Sequence, residues 1–133
     1  MIVVDSSVWI TWMRRGESRQ AAALQRLVDT ADDEILVGDL VLLELLQGSV
    51  SDSHAMRVEG FLRQFQVVPM MSDEIAVAAA RHFRLLRSRG VTVRKTVDLI
   101  IGTFCIAGDH ALLHADRDFM PMVTHLGLEQ VAV

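Results

Sequence analysis

The stretch Ile2–Ser7, with the sequence IVVDSS, decides the fold class. Its run of β-branched residues is typical of a short strand buried on both faces, as strands of parallel sheets are. Asp5 ends this strand, and Ser6 or Ser7 can cap a helix that follows at once. The chain therefore opens with a strand that leads directly into a helix.

The same alternation continues to the far end of the chain. Further strand-like runs are expected at Glu34–Val37, Val67–Pro69, Ala111–His114 and Leu128–Val131. The segments between them have helical spacing of apolar residues. We therefore predict an α/β fold: a single three-layer α/β/α domain over residues 1–133, with a parallel sheet of four or five strands.

Composition limits the class of protein further. The longest uncharged apolar stretch, Leu99–Gly108, is about half as long as a membrane span, so no membrane association is expected. No basic leader precedes the apolar start, which argues against a signal peptide. Cys105 is the only cysteine, which excludes an internal disulfide and a cysteine-based zinc site. We expect a cytoplasmic protein.

Charge is distributed unevenly along a chain of net charge −4. Seven acids and no basic residue lie between Arg26 and Arg57. A later window contains no acid but six basic residues: Arg81, Arg84, Arg87, Arg89, Arg94 and Lys95. This separation is compatible with an acidic site beside a basic track, and two solvated helix faces would explain it equally well.

Three acids stand in buried elements that should carry no unpaired acid, and a fourth, Asp116, fits beside them. Asp5 and Asp116 follow strands, at the carboxyl edge where open α/β sheets bind ligands. Glu44 and Asp98 interrupt apolar helices, where an isolated ionised carboxylate is very costly. Each acid alone has a structural alternative, such as a helix cap for Asp5, the helix dipole for Asp98 or an Asx turn for Asp116. Glu44 has the weakest such alternative.

Together these acids predict a metal site. The two strand-end acids share one edge by topology, and the two helix acids need a nearby cation. Hard oxygen ligands suit Mg²⁺ or Mn²⁺ rather than zinc, and the five histidines share no ligand spacing. Such sites usually act on phosphate groups with a metal-activated water, so phosphodiester hydrolysis is the chemistry they favour.

The segments around these acids resemble a known family. Val4–Trp9, Glu44–Gly48, Lys95–Ile101 and Leu113–Phe119 resemble the PIN-domain ribonucleases, most closely the VapC-like toxins of bacterial toxin–antitoxin pairs. The resemblance spans nearly the whole chain, in order and at family-like spacing. It implies a metal-dependent endoribonuclease whose acidic quartet is Asp5, Glu44, Asp98 and Asp116.

The resemblance also implies supporting residues and partners. Asp118 is an alternative or additional metal ligand, and Ser7 matches the hydroxyl that supports the first acid. The implied partners are a cognate antitoxin, in a groove of the early helices near Trp12, an RNA substrate with tRNA as one candidate, and a second copy in a homodimer. We assign RNA contact to Arg81, Arg84, Arg87, Arg94 and Lys95.

The competing interpretation is a non-catalytic module, either PIN-like or receiver-like, whose acids bind metal without cleaving RNA. A receiver requires paired acids after its first strand and a late strand-end lysine. This chain has Asp5 alone at the first position and no lysine after Lys95. The receiver alternative is therefore weak, whereas an inactive nuclease would carry the same acids.

Overall fold

The computed structural model describes residues 1–133 as a parallel sheet flanked by helices. The strands are β1 Ile2–Val4, β2 Ile35–Gly38, β3 Gln66–Val68 and β4 Ala111–Leu113. The helices are α1 Ser6–Met13, α2 Arg19–Thr30, α3 Asp39–Gln47, α4 Asp52–Leu62, α5 Asp73–Ser88, α6 Thr96–Ala107 and α7 Met120–Leu126. Two short 3₁₀ helices span Asp32–Glu34 and Arg117–Phe119. The predicted α/β class is confirmed.

The sheet has four strands in the order β3-β2-β1-β4, all parallel. The first and last strands along the chain are therefore neighbours, with Val4 opposite Leu113. The Asp5 N–H extends this pairing beyond β1 by donating to the Leu113 carbonyl at 2.9 Å. The carboxyl ends of β1 and β4 consequently lie side by side.

The expected fifth strand at Leu128–Val131 does not form, and the prediction of that strand is wrong. Only an isolated bridge joins Gln130 to Leu112. The Leu112 N–H donates to the backbone carbonyl of Glu129 at 2.9 Å, and the Val131 N–H donates to the backbone carbonyl of Leu112 at 3.0 Å. The preceding residues cannot extend this ladder, because Gly127 has a left-handed backbone that ends α7 and the Leu128 N–H turns back to Met122.

The core lies on both faces of the sheet. Val3, Val4, Ile35 and Val37 are fully buried, as the β-branched pattern predicts. Cys105, on α6, is buried among them, and burial raises the pKa of its thiol to about 12, so the thiol is unreactive at neutral pH. None of the helices combines the length and the apolar composition that crossing a membrane requires.

Helix α1 is held to the body by an aromatic cluster around Trp9. The Trp9 ring is fully buried and lies 5.7 Å from the rings of Trp12 and Phe65 and 6.1 Å from Phe61. Edge-on and tilted ring pairs of this kind add to the energy of simple burial. The cluster thus fixes the helix that starts directly after Asp5.

We expect Trp9→Ala to lower the free energy of unfolding by about 3–5 kcal/mol, because it removes a buried aromatic side chain and leaves a cavity. The adjacent Ile10 is 38% exposed and provides the matched control, Ile10→Ala, which should cost much less. Urea denaturation monitored by circular dichroism measures both. Equal losses for the two variants would contradict the buried position of Trp9.

Candidate metal centre

The carboxyl edge of the sheet gathers acids from four separate parts of the chain. Asp5 follows β1, Asp116 follows β4, Asp98 lies in the first turn of α6 and Glu44 lies on α3. Asp5 is only 3% exposed and Asp98 only 7%. Buried carboxylates of this kind require hydrogen bonds or a cation to compensate for lost hydration.

Ser7 holds the first of these acids in place. Its hydroxyl donates to Asp5 Oδ2 at 2.6 Å, and its N–H donates to the same oxygen at 3.2 Å. The Ser7 hydroxyl oxygen also accepts the N–H of Ala115 at 3.2 Å. One hydroxyl therefore joins Asp5 to the loop that carries Asp116, which gives Ser7 the supporting position expected from the sequence.

The loop after β4 positions a second pair of acids. Asp116 Oδ1 accepts the N–H of Asp118 at 2.9 Å and so caps the 3₁₀ helix that follows. Its Oδ2 lies 3.8 Å from Lys95 Nζ. The N–H of Asp116 donates to His114 Nδ1 at 3.2 Å. Both the backbone and the carboxylate of Asp116 are thus held by neighbours.

Three of the acids come closest together. Asp98, Asp116 and Asp118 each offer one carboxylate oxygen, and these oxygens all lie within 4.8 Å of one another. Asp5 and Glu44 stand outside this group. Glu44 Oε1 accepts the Ser6 hydroxyl at 3.3 Å, which ties α3 to the residue next to Asp5.

The charges of the predicted quartet nevertheless act on one another. Burial raises the pKa of Asp98 to about 6, and the negative charges of Asp5, Asp116 and Glu44 push it in the same direction against Lys95. Burial also raises the pKa of Glu44, with Asp5 the next cause. Burial and the neighbouring negative charges therefore disfavour the ionisation of Asp98 and of Glu44.

The arrangement fits a divalent cation. Asp5 Oδ1 and Asp98 Oδ2 are buried and have no hydrogen-bond partner. A buried oxygen without a donor is costly, and a bound cation is a group that would compensate such an oxygen. The available ligands are carboxylate oxygens alone, which is the donor set that Mg²⁺ and Mn²⁺ prefer.

Part of the predicted basic track adjoins these acids. Arg94 and Lys95 line a cavity of about 250 Å³ together with Asp98 and Asp118. The remaining members, Arg81, Arg84 and Arg87, are exposed on α5, and the Arg87 guanidinium lies 5.8 Å from the Phe83 ring centre. Their contact with RNA stays a prediction.

Sequence reasoning missed Arg117, which lines the cavity of about 250 Å³ together with Arg94 and Lys95, here named the basic cavity. The available signal was its position between two acids of the site, Asp116 and Asp118. The window of basic residues ended at Lys95, and an isolated arginine downstream of it carried no pattern of its own.

Fold and site together define a class: an α/β/α domain whose parallel sheet gathers acids at its carboxyl edge. The family described as PIN domain matches residues 2–121, and the chain belongs to that family. The resemblance seen in the sequence is thereby confirmed at the level of the family.

Individual relatives carry more specific names. VapC ribonuclease Mb1587 of Mycobacterium bovis and Ribonuclease VapC11 of Mycobacterium tuberculosis are each 29% identical to the chain over 122 residues, covering 90% of it and 89% of the relative. Among solved structures, VapBC2 from Rickettsia felis, bound to a promoter DNA fragment, has a TM-score of 0.76 at 17% identity over 98% of both chains. Mycobacterium tuberculosis VapC20, described as a sarcin-ricin loop cleaving toxin, has a TM-score of 0.70 at 19% identity over the full length of both. At these identities the structures establish a shared fold.

We expect Asp98→Asn to raise the melting temperature of the metal-free protein at pH 7.5. The pKa of Asp98 is raised from its ordinary value of 3.8 to about 6 on folding, so its ionisation destabilises the fold, fully so above pH 6. The advantage of the mutant should shrink as the pH falls from 6 towards 4, because the native acid then becomes protonated.

Thermal melts in EDTA across this pH range measure the effect, with the exposed Asp33→Asn as the matched control that should show no gain. A lower melting temperature for Asp98→Asn at pH 7.5 would contradict the prediction. That result would mean that Asp98 chiefly stabilises the start of α6.

Proposed function

We propose that this chain is a metal-dependent endoribonuclease that acts as the toxin of a toxin–antitoxin pair. The carrying observation is the pair of buried carboxylate oxygens without donors, Asp5 Oδ1 and Asp98 Oδ2, beside Asp116 at the sheet edge. Membership of the PIN-domain family and the ribonuclease names of two relatives support RNA as the substrate.

In this proposal Asp5, Glu44, Asp98 and Asp116 hold Mg²⁺ or Mn²⁺, with Asp118 as a further ligand. Bound there, the ion would supply charge stabilisation at the phosphate and activation of a water molecule. The chain itself orients the acids. Ser7 donates to Asp5 Oδ2 and leaves Oδ1 without a donor, and the Asp118 N–H donates to Asp116 Oδ1 while Oδ2 faces Lys95 Nζ at 3.8 Å.

Purified protein should cleave single-stranded RNA with Mg²⁺ or Mn²⁺, stop in EDTA and resume when excess Mn²⁺ is added. Asp98→Asn should reduce cleavage to background while the protein stays folded. Gel analysis of a labelled RNA measures this, with Asp33→Asn as an active control. Cleavage that persists in EDTA would contradict the mechanism, and metal binding without any cleavage would favour the non-catalytic module.

We infer that the basic residues beside the acids hold the RNA backbone. Arg94 and Lys95 line the cavity that contains Asp98, and the exposed arginines Arg81, Arg84 and Arg87 extend from it along α5. Positive side chains along the path of an RNA strand neutralise its phosphates and release its counterions. The affinity for RNA therefore depends on the salt concentration.

Lys95→Ala should therefore weaken RNA binding and reduce the slope of log K against log[salt] by about 0.7. Fluorescence anisotropy in the non-cleaving Asp98→Asn background measures both quantities. Arg63→Ala is the matched control, since Arg63 is paired with Glu59 at 2.7 Å on α4. If Lys95→Ala and Arg84→Ala both leave the slope unchanged, the basic window is only a solvated surface.

We further propose that the antitoxin occupies the groove between α1, α2 and α4. This groove has a volume of about 810 Å³, and its lining includes the aromatic residues Trp12 and Phe61 and the basic residues Arg15 and Arg57. Trp12 stacks on Phe61 at 5.4 Å, and its indole N–H donates to Gln25 at 2.9 Å, so it presents a preorganised aromatic surface. Apolar and acidic side chains of a partner peptide would suit such a groove.

An antitoxin that binds here should stop RNA cleavage when it is added to the wild-type chain. Trp12→Ala should make cleavage resistant to that inhibition by about tenfold or more, because buried aromatic residues dominate binding energy at interfaces. Val50→Ala, at an exposed residue outside the groove, is the control. Equal inhibition of the Trp12 variant and the control would move the antitoxin to another surface.

The remaining parts of the proposal concern the molecule as a whole. The helices and the sheet share one apolar core, which supports a single domain over residues 1–133. The free, buried Cys105 suits a reducing compartment, in agreement with a cytoplasmic location. Exposed Leu43 and Met56 offer apolar surface for the expected homodimer, which stays a prediction.

A further inference from the structure

A separate cavity of about 570 Å³ adjoins the metal centre through Asp116 and Arg117. Asp98 and Asp118 line the basic cavity instead, and Arg117 is the residue that the two cavities share. Asp98, Asp116 and Asp118 therefore each line one of two adjoining cavities. An RNA strand with a phosphate at these acids would extend into both cavities.

The polar groups of this second cavity are oriented by a chain of hydrogen bonds. The Asp116 N–H donates to His114 Nδ1 at 3.2 Å, so Nδ1 is the acceptor and Nε2 is the ring nitrogen left to donate. Nε2 is 3.0 Å from Gln130 Oε1 and donates to it. The amide NH₂ of Gln130 consequently remains available to donate to a ligand.

The rest of the lining combines one more amide with apolar surface. Gln20 contributes its side chain from α2, while Met120 and Val131 contribute apolar contacts. Met120 is 39% exposed, and a flexible thioether packs well against the face of an aromatic ring. A flat ring with hydrogen-bonding groups along its edge matches this lining.

We propose that this cavity binds an unstacked nucleobase of the RNA, next to the cleaved phosphate, and thereby sets the sequence preference of the enzyme; the proposal rests on the ribonuclease function proposed above. Single-stranded RNA is recognised by bases that are splayed out, stacked and hydrogen-bonded along their edges. Glutamine amides form paired hydrogen bonds with base edges. The volume lies within the range of about 300–1,000 Å³ that small-ligand pockets have.

A base fits this cavity better than a phosphate does. Arg117 is its only basic side chain, and the carboxylate of Asp116 lies in the same lining. The neighbouring cavity carries Arg94, Lys95 and Arg117 beside Asp98 and Asp118, so its basic side chains outnumber its acids, whereas Arg117 and Asp116 balance here. Backbone and base of one nucleotide strand are thus assigned to different sides of the acids.

Gln20→Leu and Met120→Ala test the assignment, because neither side chain is a candidate metal ligand. Sequencing of cleavage ends from a random RNA pool should show a base preference beside the cut in the wild type. Each variant should weaken that preference, Gln20→Leu by roughly 5- to 150-fold for a lost pair of hydrogen bonds, with a higher KM for the preferred RNA. Gln64→Leu, at an exposed glutamine, should leave the pattern unchanged.

A second measurement does not depend on cleavage. In the Asp98→Asn chain without metal, the side-chain amide NMR signals of Gln20 and Gln130 should shift on addition of one nucleoside 5′-monophosphate more than the other three. Ribose 5-phosphate should not shift them, and the Gln64 amide should not respond to any of these ligands.

The outcomes separate the two proposals. Wild-type cleavage with an unchanged pattern in Gln20→Leu and Met120→Ala, together with unshifted amides, would overturn the base pocket alone. Absent cleavage with base-selective shifts would overturn the ribonuclease function and leave a nucleotide-binding cavity. A loss of Mn²⁺ affinity in Gln20→Leu without a change of preference would show that the cavity supports the acidic loop, and would also overturn the proposal.

Discussion

Parallel pairing of β1 with β4 is the interaction on which the site depends. It places the residue after Val4 beside the residues after Leu113, although more than a hundred positions of chain separate them. Ser7 then closes the junction, since its hydroxyl donates to Asp5 and accepts from Ala115. Without this pairing the acids of the two strand ends would have no reason to meet, and α6 would have no acidic edge to face.

The carboxylates at the carboxyl edge of the sheet destabilise the fold, and burial in the apolar core must offset this destabilisation. Burial and mutual repulsion raise the pKa of Asp98 and of Glu44, and Lys95 compensates only in part. Two carboxylate oxygens are left without donors in the interior. A fold that keeps such groups at the expense of its own stability commonly does so for binding or catalysis. Buried Trp9, which anchors the helix after Asp5, contributes to the stability that makes this possible.

The surface around this edge divides into regions of different chemistry. The groove with Trp12 and Phe61 is formed by the early helices and shares no residue with either cavity at the acids. The basic cavity suits phosphates, whereas the cavity with Gln20 and Gln130 suits uncharged rings. The groove proposed for the antitoxin and the two cavities proposed for RNA are therefore separate surfaces of one small domain.

Local sequence predicted the type of the strands and helices, the burial of the β-branched strands and the four acids as candidate metal ligands. These features could be predicted because burial and periodicity depend on residues that are neighbours along the chain. A charged residue inside an apolar run, such as Glu44 or Asp98, stands out without any knowledge of the fold. Tertiary structure alone decided that Leu128–Val131 makes one bridge instead of a strand, and that Gln20, His114 and Gln130 line one cavity. It also separated Arg94 and Lys95, beside the acids, from the arginines on α5. These outcomes depend on strand order and on the path of the chain after α7, which bring together residues that no local pattern connects.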